Sequence, residues 1–353
     1  MVMVNTYREK KYHLVSMFAI ILLLVLISGC GQTTSAPQKG KDTSDKMDEI
    51  DITVTHYPTG LYAVPYNVGI EKGFFEEEGI KIKTIMGSNG GGTTVRNVLS
   101  GKLPFGEVST AAAIQSYLAG APIKIIGGGV QSVNDIVYLT RKDASFNKPE
   151  DFIGHKWGYT SPGSVTETVS QLIFKSLGID KEKVKMVATG GINEGLTLLE
   201  KGEVDSSLML DPAYSVDKDK WKTLFRVSEY VPHFQQSVIV TSPQIIKENP
   251  DLVERFLKAY RKSVEWVYNN PEEAAKIFAK SAEINDSASV EAVKAMASIK
   301  HWSSSIQEES LKQVLIGMQS VGTLKNPEDI DWSELLDQRF LPENERLNIE
   351  KLK

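Results

Sequence analysis

From Asp51 onward the chain takes strand-period and helix-period segments in turn, and it does so twice. "DITVTHYP" alternates apolar and polar residues and stops at Pro58, a strand running into a loop. "LYAVPYNVGIEKGFF" spaces its apolar residues for a helix with Gly73 as the stop, and "GIKIKTIMG" is again a strand. A Gly-rich turn, a short helix with Val95, Val98 and Leu99 on one face, and a strand through "GEV" follow. The rhythm continues through "AAAIQSYLAG" and "APIKIIGGG". A second round opens near Asp143: strand "GHKWGYT", helix "SVTETVSQLIFKSLGI", strand "KVKMVAT", helix "NEGLTLLEKG" and strand "EVDSSLML". Strands that alternate with helices build an α/β sheet, and "TTVRNVLSGKLPFGEVST" echoes "NEGLTLLEKGEVDSSLML" in build. The pattern therefore predicts two α/β lobes of similar construction. "DIVYLTRKD" and "QQSVIVTSP" flank the second lobe and are candidate crossover segments, which would leave a cleft between the lobes. Beyond "SVIVTSPQII" the sequence turns helical, with Asn249 and Asn270 each placed before a proline at a helix start.

The N-terminus is of another kind. Arg8, Lys10 and Lys11 precede the uncharged run "LVSMFAIILLLVLI", which closes on Ser28-Gly29-Cys30. A basic region, a short apolar region and small residues before a cut describe a secretory signal; a spanning helix needs ~20 apolar residues. Cys30, the single cysteine, stands where a lipobox places its lipid-modified residue. Several acyl chains there would anchor the protein stably to membrane lipid. The polar, aperiodic stretch from Gly31 to about Glu49 reads as a flexible tether. Roughly 300 residues remain, more than one typical domain. The expected organisation is a leader at 1–29, a lipid-anchored linker at 30–49 and a first lobe at 50–141. A second lobe follows at 142–235, and 236–353 returns to the first lobe and ends in helices. The charge balance, 40 Lys and Arg against 45 Asp and Glu, is slightly acidic with dispersed basic residues, and gives no footprint for nucleic acid.

In open α/β sheets a ligand sits beyond the C-terminal ends of the strands. Those positions hold Tyr57, Thr59 and Gly60 after the first strand, and Gly91, Thr93 and Thr94 after the second. Ser109 and Thr110 end "EVST"; Tyr159, Thr160, Ser161 and Ser164 follow "KWG"; Asn193 follows "KMVAT"; Asp211 and Tyr214 follow "SLML". Ser164-Val-Thr-Glu167 fits a capping box, which accounts for Ser164 and Glu167 structurally. It leaves Thr160, Ser161 and Gly163 over. Gly163 permits close backbone approach, and free N–H groups at a helix start favour an anionic or electron-rich group. "GGGTT" offers the same device from the other lobe, and the two together would form a clamp. The aromatic residues Tyr57 and Tyr214 sit at loop openings where a ring can cover a ligand, and Glu107, Glu194 and Asp211 could face an amine.

An enzyme has little to work with. His13, His56, His155, His233 and His301 show no metal-ligand spacing, and no Ser or Cys has an evident base partner. "GGGTT" lacks the lysine of a phosphate loop, and "GSNGGG" departs from the dinucleotide spacing. No cofactor and no metal are expected. His56, beside the presumed cleft, is the one candidate base.

"GIEKGFFEEEGIKIKTI", "NVLSGKLPFGEVSTAAAIQSYLAGAPIKII", "DFIGHKWGYTSPGSVTETVSQLIFKSLGID", "LLEKGEVDSSLMLDPAY" and "NPDLVERFLKAYRKSVEWVYNNPEEAAKIFAK" together resemble the substrate-binding proteins of ABC importers in the nitrate, sulfonate, taurine and thiamine-precursor group. The resemblance covers nearly all of the chain after the tether, in order. It implies a type II periplasmic-binding-protein fold with two lobes, two crossovers and flytrap closure. It also implies a monomer that hands a small solute to a membrane permease driven by a separate ATPase, at the outer face of the cell membrane. Family ligand contacts fall near Thr59, Thr94, Ser109, Ser161, Ser164 and Asn193. Family members carry Asp where this chain has Pro104 in "KLPFG", and the cysteine-rich motif of the related pyrimidine synthases is absent. The leading expectation is an aliphatic sulfonate or taurine-like anion as solute. A small nitrogen heterocycle such as a thiamine-precursor pyrimidine is the alternative, and an enzyme using His56 is the third.

Overall fold

The computed structural model describes residues 47–352 except Asn89. The leader, Cys30 and most of the tether lie outside the described residues. The first strand begins at Asp48, two residues inside the stretch assigned to the tether.

Ten strands, β1 (Asp48–Thr55), β2 (Ile80–Ser88), β3 (Gly106–Ser109), β4 (Lys124–Gly128), β5 (Ile136–Thr140), β6 (Lys156–Tyr159), β7 (Lys185–Ala188), β8 (Ser207–Leu210), β9 (Lys222–Arg226) and β10 (Ser237–Thr241), build two sheets. The first runs β2-β1-β3-β10-β4. Its strands β1, β2 and β3 are parallel, and β10 enters antiparallel between β3 and β4. The second is made of β6-β7 and β8-β5-β9, joined by a parallel bridge between Trp157 and Ser206. Read across, it runs β7-β6-β8-β5-β9, the same pattern with β5 as the antiparallel insert. Each sheet is thus completed by a strand that the chain delivers after crossing from the other lobe. This moves one boundary: β5 belongs to the second sheet, so the first crossover precedes Ile136 rather than lying at 141/142.

Among the described residues the α-helices are α1 (Ala63–Glu71), α2 (Phe74–Glu77), α3 (Gly91–Leu99), α4 (Thr110–Leu118), α5 (Val165–Ser176), α6 (Ile192–Glu200), α7 (Ala213–Asp217), α8 (Pro243–Glu248), α9 (Pro250–Asn269), α10 (Pro271–Ala282), α11 (Asp286–Ser298), α12 (Glu308–Val321) and α13 (Trp332–Leu335). α1, mostly apolar, is buried from Ala63 to Gly69 with Asn67 taken in among its apolar neighbours, and at Gly69 a β-carbon would meet Ser263 and Phe75 within 2.5 Å. The C-terminal helices serve both lobes, not the first alone. α12 lies on α5, where Gly317 lets Thr168 and Leu172 approach, and Lys218 beyond α7 pairs with Glu291 of α11 at 3.5 Å. β9 carries no alternating pattern in "KTLFR" and was not expected; as an edge strand it needs only Phe225 buried.

The two crossovers, residues 129–135 and 227–236, run side by side. Gly129 N–H donates to Ser237 O at 3.2 Å and Ser237 N–H to Val130 O at 3.0 Å. The Gln235 amide donates to both of those carbonyls. A loop at 301–305 holds the first crossover from outside: Gln131 N–H donates to His301 O at 2.8 Å and Ser303 N–H to Gly129 O at 2.8 Å.

Candidate functional site

A cavity of about 320 Å³ opens where the lobes meet, a size suited to a small organic molecule. Its walls come from three helix starts. α3 begins at Gly90 with no side-chain cap, so its leading N–H groups are available to whatever enters. Gly91 is required there, because a β-carbon would lie 2.4 Å from that of Ala112. Just behind, Thr94 shares hydrogen bonds with Thr55 at 2.8 Å and Ser88 at 2.5 Å, knitting the ends of β1 and β2 to the helix. α4 is capped by Ser109, whose Oγ accepts from Ala112 N–H at 3.3 Å.

The third start, α5, comes from the other lobe and is self-capped. Ser164 Oγ accepts from Glu167 N–H at 3.2 Å. Glu167 reaches back to Gly163 N–H at 2.6 Å rather than to Ser164, whose own N–H is already given to Ser161 O in a turn. Thr166 Oγ1 accepts from Thr160 N–H at 2.9 Å and shares bonds with the Thr160 and Ser164 hydroxyls. Ser161 is the hydroxyl of this loop left without a protein partner among the described residues, and it lines the cavity. Gly163 has φ +75°, and a β-carbon there would sit 2.6 Å from Gln115 of the opposite lobe, so the lobes touch at this point.

Of the residues expected near a ligand, Gly60, Gly91, Thr93, Ser109, Thr160, Ser161 and Ser164 line this one cavity. Eight others do not. Thr94 is fully buried in its hydroxyl network, and Thr110 donates to Gln235 O at 2.7 Å, fastening α4 to the crossover. Tyr57 turns to the C-terminal helices, its hydroxyl 3.4 Å from Ser281, while Thr59 and Asn193 are exposed. Tyr159 is a buried packing residue beside Glu167. Asp211 pairs with Arg226 at 2.6 Å and accepts from Ser215, and Tyr214 lies under the Arg226 guanidinium and bonds Thr223. Glu107 is sealed beneath the hinge with Ser237 at 2.6 Å, and Glu194 is exposed.

The structure adds Arg96, Asp135 and Gln236, which no motif announced, and puts His56, the candidate base, on the same wall. Arg96 stands at the wall, donating to Thr93 at 2.9 Å, as the one fixed cation among the described lining residues. His56, in the left-handed region at φ 61°, and Tyr62 form an edge-to-face ring pair with centroids 6.4 Å apart. Burial lowers the His56 pKa, which favours a neutral imidazole. The crossovers supply Asp135 and Gln236, 3 % and 2 % exposed, with Gln236 Nε2 donating to Asp135 Oδ1 at 2.8 Å. Burial pushes the Asp135 carboxyl up to about 7 against the pull of that hydrogen bond; Asp211 adds to the rise and Arg226 opposes it. The sequence signal was a polar residue inside an apolar run, "NDIVYL" and "FQQSVIV", which reads equally well as turn or sheet edge.

The NMT1/THI5-like family model matches residues 61–274. The chain is 23% identical to a formylaminopyrimidine-binding protein of Halalkalibacterium halodurans, over 73% of this chain and 76% of that one. It is 22% identical to a putative aliphatic sulfonates-binding protein of Bacillus subtilis, over 74% and 76%. A 4-amino-5-hydroxymethyl-2-methylpyrimidine phosphate synthase of Saccharomyces cerevisiae is 22% identical over 65% and 70%. In structure the chain is similar to the alkanesulfonate-binding protein SsuA of Xanthomonas axonopodis pv. citri bound to MOPS. The TM-score is 0.67 at 12% identity, covering 83% of this chain and 99% of that one. With a family model spanning more than half its length and a two-lobed type II periplasmic-binding-protein fold, this chain belongs to the NMT1/THI5-like family.

Proposed function

We propose that this protein is the extracytoplasmic solute receptor of an ABC importer, exported and lipid-anchored through Cys30, which captures a small organic anion of the aliphatic-sulfonate or taurine kind. It would pass that solute to a membrane permease powered by a separate ATPase, and it binds without turnover. One observation carries the reading: helix starts from opposite lobes, at Gly90–Thr93 and Thr160–Ser164, line a single cavity with Arg96 beside them. Exposed N–H groups, the Ser161 hydroxyl on the wall and a guanidinium all favour negative charge. Because the walls belong to different lobes, a bound solute stabilises the closed arrangement over the open one, and that difference is what a permease can read. The names of the sulfonate-binding relative and structural neighbour support the same class.

A nitrogen heterocycle is the second reading. The His56–Tyr62 ring pair on the wall favours it, as does the pyrimidine-binding relative. Native mass spectrometry of the protein purified gently from its own host separates the two. A co-purified sulfonate mass supports the first reading, and a heterocycle mass replaces it with the second. A protein that shows no calorimetric response to a sulfonate panel overturns the anion class.

A further inference from the structure

We propose that Asp135 and Gln236, on the cavity floor, form a subsite for a nitrogen–hydrogen donor, so that the solute carries an amine as well as an electron-rich end. The inference rests on the reading of this cavity as the solute site. Each residue comes from a different crossover, and both line the cavity while almost fully buried. Gln236 spends its amide N–H on Asp135 Oδ1 at 2.8 Å, and its Oε1 has no partner among the described residues. With its NH2 group placed on the Asp135 carboxyl, the amide leaves its oxygen over. Its orphan atom is therefore an acceptor.

Among the described residues the carboxyl beside it has no ion-pair partner, and the Arg226 guanidinium whose charge it feels is committed to Asp211 Oδ2 at 2.6 Å and Asn134 O at 2.7 Å. A buried carboxyl with no cation of its own, beside a buried carbonyl oxygen short of donors, is costly unless something supplies N–H groups. An ammonium or an exocyclic amine satisfies both at once. A plain alkanesulfonate, all acceptor, does not. The cavity then carries two kinds of group, donors at the uncapped α3 start, Ser161 and Arg96, and acceptors at the crossovers.

The test is calorimetry on the full-length protein in mild detergent with two matched pairs, taurine against ethanesulfonate and 4-aminopyrimidine against pyrimidine. The expected result is that the amino member of at least one pair binds tenfold or more tightly than its partner. Asp135→Asn should abolish that preference, and Gln236→Met, which keeps the shape, should weaken it. If Asp135→Asn fails to fold, Gln236→Met carries the test. Equal binding within each pair, a preference that survives the substitutions, or binding of neither amino probe overturns the donor subsite. Ethanesulfonate binding as well as taurine would leave the anion reading standing while the subsite falls. A preference confined to the pyrimidines, with no sulfonate bound, would leave the subsite standing while the anion reading falls.

Discussion

Replacing Glu107 with glutamine should reverse part of this protein's dependence on pH. Glu107 is fully buried on β3, its Oε1 accepting from Ser237 Oγ at 2.6 Å, its Oε2 without a partner among the described residues. The groups facing it are the phenols of Tyr66, Tyr62 and Tyr260, none charged near neutrality. Burial pushes its carboxyl from 4.5 up to about 7, with Ser237 and Tyr66 pulling the other way. Below the unfolded value both states hold the proton. As pH rises from 4.5 to 7 the unfolded chain releases it while the folded chain keeps it, so stability falls through that window and the loss is complete above about 7. A shift of about 2.5 units at 1.36 kcal/mol each gives about 3 kcal/mol. Glutamine preserves the shape and the acceptor for Ser237 but never ionises. Urea unfolding of wild type and Glu107→Gln at pH 5 and pH 8 should show the variant gaining about 3 kcal/mol on wild type between the two. A gap that is the same at both pH values would refute the argument.

Four further outcomes are expected. Gly163→Ala forces a non-glycine residue to φ +75°, about 1–2 kcal/mol of backbone strain, and sets a methyl against the Gln115 side chain where the lobes touch. It should weaken solute affinity and leave a more open particle in X-ray scattering. Ser164→Ala removes the α5 cap and should lower stability by about 1 kcal/mol, read as the unfolding midpoint. Thr94→Val breaks the bonds to Thr55 and Ser88 and should lower stability by about 1–3 kcal/mol. Ser161→Ala should instead weaken binding of the solute by about 1–2 kcal/mol with the melting temperature unchanged, since its hydroxyl has no protein partner among the described residues.

The difference between Thr94 and Ser161 shows what a linear reading can reach. Both are hydroxyls at a helix start after a strand, and both looked equally available. Thr94 is turned inward because Thr55 and Ser88 come beside it, from strands 39 and 6 residues away. Tyr57 and Tyr214 looked like lids for the same reason; one instead meets Ser281, 224 residues distant, and the other Arg226. Helix starts are legible because caps, glycines and prolines act within four residues of where they stand. The α5 cap, the uncapped α3 start at "GGGTT" and the paired α/β units are all local signals of that kind.

The sequence alone therefore determined the strand–helix alternation, the doubled lobe and the loops where a solute could dock, because hydrophobic period and capping chemistry are short-range. Only the tertiary structure decided that β5 belongs to the second sheet and that β5 and β10 both enter antiparallel, since an antiparallel insert looks no different in sequence from a parallel strand. It alone brought Asp135 to Gln236 across 101 residues, where two unremarkable polar side chains, excluded from water together, become the floor of the cavity.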